Sequence, residues 1–233
     1  MGGHTFETTR RLSNEEYSLF IQSIKDLGCI EGVDFIQPFR LKNKTSHGDI
    51  DLIVHNPDII ISKMSNIKEI KTIPLFEEKY NLYSKHVLTH DNIQIDFLVS
   101  WNSESMEITR AFFSYSCFNI FLKRMATFFD RNAKLSYLGL FISDRTMVIE
   151  TDFIQLDENT RLVIDCNYIF LKLGLDYNIF LNGFNNEVDL LEFLSSSSLY
   201  SLVKFRNNSK FKHDYKRLDS FKRIVDEGLI VVN

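Results

Sequence analysis

The run Gly48-Asp49-Ile50-Asp51-Leu52-Ile53-Val54 sets two carboxylates two residues apart in an alternating apolar segment. Successive side chains of a β-strand point to opposite faces, so Asp49 and Asp51 project from the same one. A third acid, Asp96, lies between Ile95 and Phe97 in a second alternating segment. If the two segments are neighbours in one sheet, the three carboxylates converge. Such a cluster repels itself until cations neutralise it. Two magnesium ions suit these oxygen ligands, with manganese as the alternative. A pair of ions activates an attacking oxygen and stabilises a leaving phosphate in an in-line displacement. The Asp-x-Asp pair alone reads first as a solvated strand face. Asp96 shifts the balance, because an acid set between large apolar residues near a strand centre rarely lacks a role.

The elements that must position these acids follow from periodicity. Residues 13–27 predict a helix, with Ser13 as N-cap, Glu16 as its capping-box partner, and Tyr17, Phe20, Ile21 and Ile24 on one face. Gly28 and Gly32 then bound a turn, residues 34–41 look extended, and residues 42–48 read as a polar loop. The first acidic strand follows and is stopped by Pro57. Residues 58–70 are expected to be helical. Residues 80–89 and 92–100 read as two strands joined near His90-Asp91-Asn92. Residues 106–140 read as helix, turn, helix. Short strands are expected at 141–142, 147–151 and 161–165, and a helix at 167–173 ending at Gly174.

On these residues the chain resembles the family X DNA polymerases, the DNA polymerase beta superfamily. Gly48-Asp49-Ile50-Asp51 and Ile95-Asp96-Phe97 match the two acidic strands of that family's palm in order. Residues 111–119, with Phe113-Ser114-Tyr115 and Phe118-Asn119, resemble the aromatic turn and helix start of its thumb. Residues 122–126 and 134–141 are similar to the thumb helix pair and its Gly-Leu end. Ile169-Phe170-Leu171-Lys172-Leu173-Gly174-Leu175-Asp176-Tyr177 resembles the segment that closes the thumb. The likeness covers about residues 30–182. It departs from the family at two places. The family's Gly-Ser pair, which opens a helix whose N-terminus binds triphosphate, is replaced by Pro38-Phe39. The thumb's Thr-Gly at the sugar site is also missing, and Phe113, Ser114 and Tyr115 stand nearest to it.

The resemblance implies an α+β fold in three parts. Residues 1–105 would form a nucleotidyltransferase palm with a mixed sheet, residues 106–182 a thumb-like domain, and residues 183–233 a basic helical extension. The implied activity is transfer of a nucleotide from a nucleoside triphosphate onto a DNA 3′ end, as in gap filling and repair. Asp49 and Asp51 would hold both magnesium ions and Asp96 the catalytic one. Arg40, Lys42, Gly48, Phe113, Ser114 and Tyr115 are the candidate nucleotide contacts, and Asn119 and Lys123 the candidate DNA contacts. The alternatives are a transferase acting on RNA, a protein or a small molecule, and a catalytically degenerate nucleic-acid-binding or scaffold protein. A palm and thumb alone resemble the smallest viral members.

Charge adds one local feature. The chain of 233 residues has net charge −4, which announces no polyanion partner. Residues 204–223 nevertheless hold eight cations against Asp214 and Asp219, with Phe205, Phe211, Tyr215 and Phe221 interleaved. Lys210, Lys212, Lys216 and Arg217 are the candidate phosphate contacts there; an amphipathic helix with a solvated basic face is the competing reading. His47, His86 and His90 are read as solvent-facing, with phosphate or substrate contact the alternative for His47. Cys29, Cys117 and Cys166 lie far apart without metal-site spacing, so they read as buried free thiols in a reducing, intracellular setting, cytoplasmic or nuclear. No stretch reaches the roughly 18 apolar residues of a membrane span, and no apolar signal-peptide core opens the chain.

Overall fold

The structure is a computed structural model. It describes the backbone of residues 5–31, 33–74, 83–115, 118–143 and 146–200, and their side chains except at 28–31, 74 and 83. The basic segment 204–223 lies outside the described residues, and so do Cys117 and the side chain of Cys29. Among the described residues the fold is of the α+β class, with seven helices and both parallel and antiparallel strand pairs. Two compact units share it. The first comprises residues 1–38 and 44–110, the second residues 39–43 and 111–233, so the division falls between Arg110 and Ala111.

The first unit opens with β1 (Leu12–Ser13) and α1 (Asn14–Glu31). The expected capping box is present: the Glu16 amide donates to Ser13 Oγ at 3.2 Å, and the Ser13 amide to Glu16 Oε2 at 2.9 Å. The Ser13 amide and then Arg10 hold the Glu16 carboxyl below its ordinary range. The helix runs through Gly28, where a turn is expected from the sequence. β2 (Phe35–Ile36), β3 (Ser46–His47) and β4 (Ile50–Val54) follow. Then come α2 (Pro57–Lys63), β5 (Ile67–Pro74), β6 (Tyr83–Thr89) and β7 (Gln94–Val99).

Only the first half of the helix expected over 58–70 forms. Asn56 caps it, accepting from the Asp58 amide, and Pro57 occupies its first turn. Past Met64 the chain becomes a strand. A bulge between Ile67 and Glu69 breaks the alternation that would have announced it, leaving isoleucines at helical spacing.

The sheet has the order β2-β4-β7-β6-β5. β4 and β7 pair in parallel, and the other neighbours are antiparallel. A parallel pair needs a crossover, here supplied by α2, β5 and β6. Ile50, Leu52, Val54, Ile95 and Phe97 are fully buried and pack with Ile21 and Ile24 of α1 and Ile60 of α2. Each buried aliphatic side chain of this kind contributes about 1.5–3 kcal/mol. This core fixes the two central strands, and with them the acids they carry.

The second unit takes the end of α3 (Met106–Phe113), then α4 (Phe118–Phe129), β8 (Ala133–Ser136) and β9 (Gly139–Ile142). Residues 106–140 are expected to end in a helix, but β8 and β9 form a hairpin there. Tyr137-Leu138 make the turn, and Gly139, which follows it, takes φ 142°; a Cβ there would lie 2.3 Å from the Val163 carbonyl oxygen. β10 (Ile154–Gln155) and β11 (Arg161–Val163) complete a four-stranded sheet, β10-β11-β9-β8. Residues 147–151, expected as a strand, form none.

α5 (Cys166–Lys172), α6 (Tyr177–Asn182) and α7 (Glu187–Ser195) follow, capped by Asp165, Asp176 and Asn186. Gly174 ends α5 at φ 70°: the Leu175 amide donates to Phe170 O and the Gly174 amide to Leu171 O, a Schellman motif. The core of this unit is aromatic. Phe180 packs on Phe118, Phe170 and Tyr115 with ring centres 4.9–5.9 Å apart. Cys166 is a buried free thiol, as expected. No helix among the described residues is long and apolar enough to cross a membrane.

Candidate metal centre

β4 and β7 run side by side in the same direction, with Asp51 directly beside Asp96 and Ile50 beside Ile95. Cross-strand partners share a face, and Asp49 shares the face of Asp51 by alternation. The three acids therefore meet. One carboxylate oxygen from each of Asp49, Asp51 and Asp96 lies within 4.8 Å of the others. Asp49 and Asp96 are buried and Asp51 is half-buried. Gly48, between β3 and β4, is buried beside them.

The donor set fits a hard divalent cation. All three ligand groups are oxygen, and two oxygens on one magnesium lie about 3–4 Å apart at its bond lengths. The three oxygens, all within 4.8 Å of one another, are close enough to hold a metal ion.

Two histidines differ from the expectation. His47 is buried rather than solvent-facing: its ring stacks on Tyr17 at 4.2 Å, and Nε2 lies 2.7 Å from Asn14 Oδ1. His86 is also buried. The β6–β7 register sets it opposite Asp96, and its Nδ1 lies 2.7 Å from Asp96 Oδ1. Gln94 Nε2 donates to both oxygens of Asp96, at 2.8 and 3.1 Å. His90 is exposed, as expected. His86 and Gln94 are the site residues that the sequence reading misses. Gln94 carried a signal, since it stands two residues before Asp96 and so shares its strand face. His86 carried none, because only strand register brings it there.

The other candidate residues fall in the second unit. Arg40 and Lys42 sit in the segment 39–43, where the Lys42 amide donates to Phe184 O at 3.0 Å. Lys42 is exposed and Arg40 half-buried. Ser114 is buried, and its Oγ accepts from the Phe39 amide at 2.8 Å. Tyr115 is buried at φ 52°, with its amide donating to Phe39 O. Phe113 is half-buried against Tyr137. Asn119 lies half-buried in the first turn of α4, and exposed Lys123 sets its ammonium 4.8 Å over the Phe112 ring. No helix opens at Pro38-Phe39; the Phe39 ring instead packs edge-on to Phe180 at 5.2 Å. Lys210, Lys212, Lys216 and Arg217 lie outside the described residues.

Compared with known proteins, the chain matches no family model and no curated protein.

Proposed function

We propose that this chain is a magnesium-dependent nucleotidyltransferase that extends a DNA 3′ end, with the first unit as a palm and the second as a thumb-like domain. The observation that carries the reading is the convergence of Asp49, Asp51 and Asp96 within 4.8 Å on adjacent parallel strands. A left-handed backbone at Tyr115, near the place of the family's Thr-Gly, also supports the likeness, since glycine adopts that conformation most readily.

Asp49 and Asp51 would hold both ions, and Asp96 the catalytic one. Bound magnesium supplies acidity to the 3′ hydroxyl and charge stabilisation to the departing phosphate. The 3′ oxygen forms a bond to the α-phosphorus, the α–β bridging bond breaks, and pyrophosphate leaves. Asp96 helps take the hydroxyl proton. Burial of Asp49 and Asp96 strengthens these interactions relative to water.

The test is incubation of the pure chain with magnesium, gapped DNA and each labelled deoxynucleoside triphosphate, with RNA primers in parallel. Template-matched extension of the DNA primer is the expected result. No extension of any primer, with the fold intact, overturns the reading.

One observation favours a second reading. The family's triphosphate-binding helix is not present at Pro38-Phe39, and Phe39 serves as a packing residue. That favours a different acceptor or a different mode of triphosphate binding on the same palm. Transfer of label to RNA, protein or a small molecule in the same assay selects it.

A further inference from the structure

The strand registers place four ionisable residues in one row across the first unit's sheet. Asp51 pairs with Asp96, Asp96 with His86, and His86 with Lys71 of β5. The Lys71 ammonium donates to the Thr5 carbonyl and lies over the Phe6 ring, so it is engaged at the far end of the row. His86 is engaged with the acid. Its Nδ1 sits 2.7 Å from Asp96 Oδ1, while its Nε2 sits 2.7 Å from Ser84 Oγ.

Hydrogen-bond capacity decides what this does to Asp96. A carboxylate oxygen has two lone pairs. Asp96 Oδ1 accepts from His86 Nδ1 and from Gln94 Nε2, which fills it; Oδ2 has one longer contact, 3.1 Å from Gln94. A ring that donates from Nδ1 in its neutral form must accept at Nε2, and the Ser84 hydroxyl supplies that proton, its contact with Nε2 at 2.7 Å being much shorter than the one with the Ile73 carbonyl at 3.4 Å. The bonds then run in one direction, Ser84 to His86 to Asp96.

We propose that His86, oriented by Ser84, is a positioning residue for the metal centre: together with Gln94 it occupies Asp96 Oδ1 and leaves Oδ2 to bind the cation. The inference rests on the three acids forming that centre, and it holds whichever acceptor the enzyme uses. Partners of this kind fix a ligand's orientation, and their loss costs about 10–100-fold in metal affinity.

The experiment is a titration of the full chain with Mn2+, followed by the EPR signal of the free ion, on wild type, His86→Leu, His86→Asn and Ser84→Ala. His86→Leu removes the donor, and its Mn2+ Kd rises by about 10–100-fold. His86→Asn places an amide donor near the Nδ1 position and recovers most of that loss. Ser84→Ala gives a smaller rise in the same direction. Urea unfolding of each variant without metal checks the fold. A folded His86→Leu chain that binds Mn2+ like wild type overturns the proposal, and so does failure of His86→Asn to improve on it. Should His86→Leu not fold, Ser84→Ala decides: an unchanged Kd overturns the proposal. Primer extension by the wild-type chain is measured alongside. Mn2+ binding that depends on His86 without any nucleotidyl transfer refutes the enzyme and leaves the positioning role standing. Transfer with Mn2+ binding indifferent to His86 does the reverse.

Discussion

Replacing Asp51 by Asn should stabilise the protein without metal and destabilise it, relative to wild type, with metal. The three ligand oxygens lie within 4.8 Å of one another. At an effective dielectric constant of about 20, two unit charges at that distance repel by about 3 kcal/mol. Asp51 faces two such neighbours but is half-buried, so solvent screens part of the effect. A gain of about 1–2 kcal/mol remains for the metal-free variant. Magnesium at a hundred times its dissociation constant stabilises a protein that binds it by about 2.7 kcal/mol. The variant forfeits that gain, so magnesium reverses the order of the two proteins. Trp101 is the sole tryptophan and belongs to the unit that carries the acids. Its fluorescence in urea therefore reports from within that unit, with and without magnesium. Two outcomes would sink this account: a metal-free variant less stable than wild type, or equal stabilisation of both proteins by magnesium.

Asp96→Asn keeps an acceptor for His86 and Gln94, so the fold should survive by circular dichroism while primer extension is abolished; retained turnover would place the chemistry elsewhere. Burial pushes the Tyr137 hydroxyl up to about 12, which favours the neutral phenol in the folded state. Its contribution is complete below about pH 10, the unfolded value, and is lost as pH rises from there towards about 12. Tyr137→Phe should accordingly flatten the loss of stability over that interval in pH-dependent unfolding. Charge reversal at Lys210, Lys212, Lys216 and Arg217 should lower the slope of log affinity against log salt on duplex DNA, by up to about 0.9 for each phosphate that the segment neutralises. An unchanged slope in the folded mutant makes the segment a structural brace.

Local facts were legible in the chain alone. Alternation put Asp49 and Asp51 on one strand face, Ser13 and Glu16 capped α1, and Gly174 ended α5. These are effects of neighbours within a few residues, and chain geometry alone enforces them. The meeting of the site residues came from the folded sheet instead. Asp96 joins the other acids because β4 and β7 pair in parallel with Asp51 beside Asp96, a register set by the apolar residues buried between the strands and the helices. His86 reaches Asp96 only through the antiparallel register of β6 on β7, so a histidine that reads as solvent-facing becomes a buried partner of a ligand. The bulge in β5 and the two-residue turn at Tyr137-Leu138 go with strands where two helical stretches are expected, because hydrophobic spacing does not report either irregularity. Side chains distant in sequence meet by strand pairing, and pairing is a property of the whole sheet.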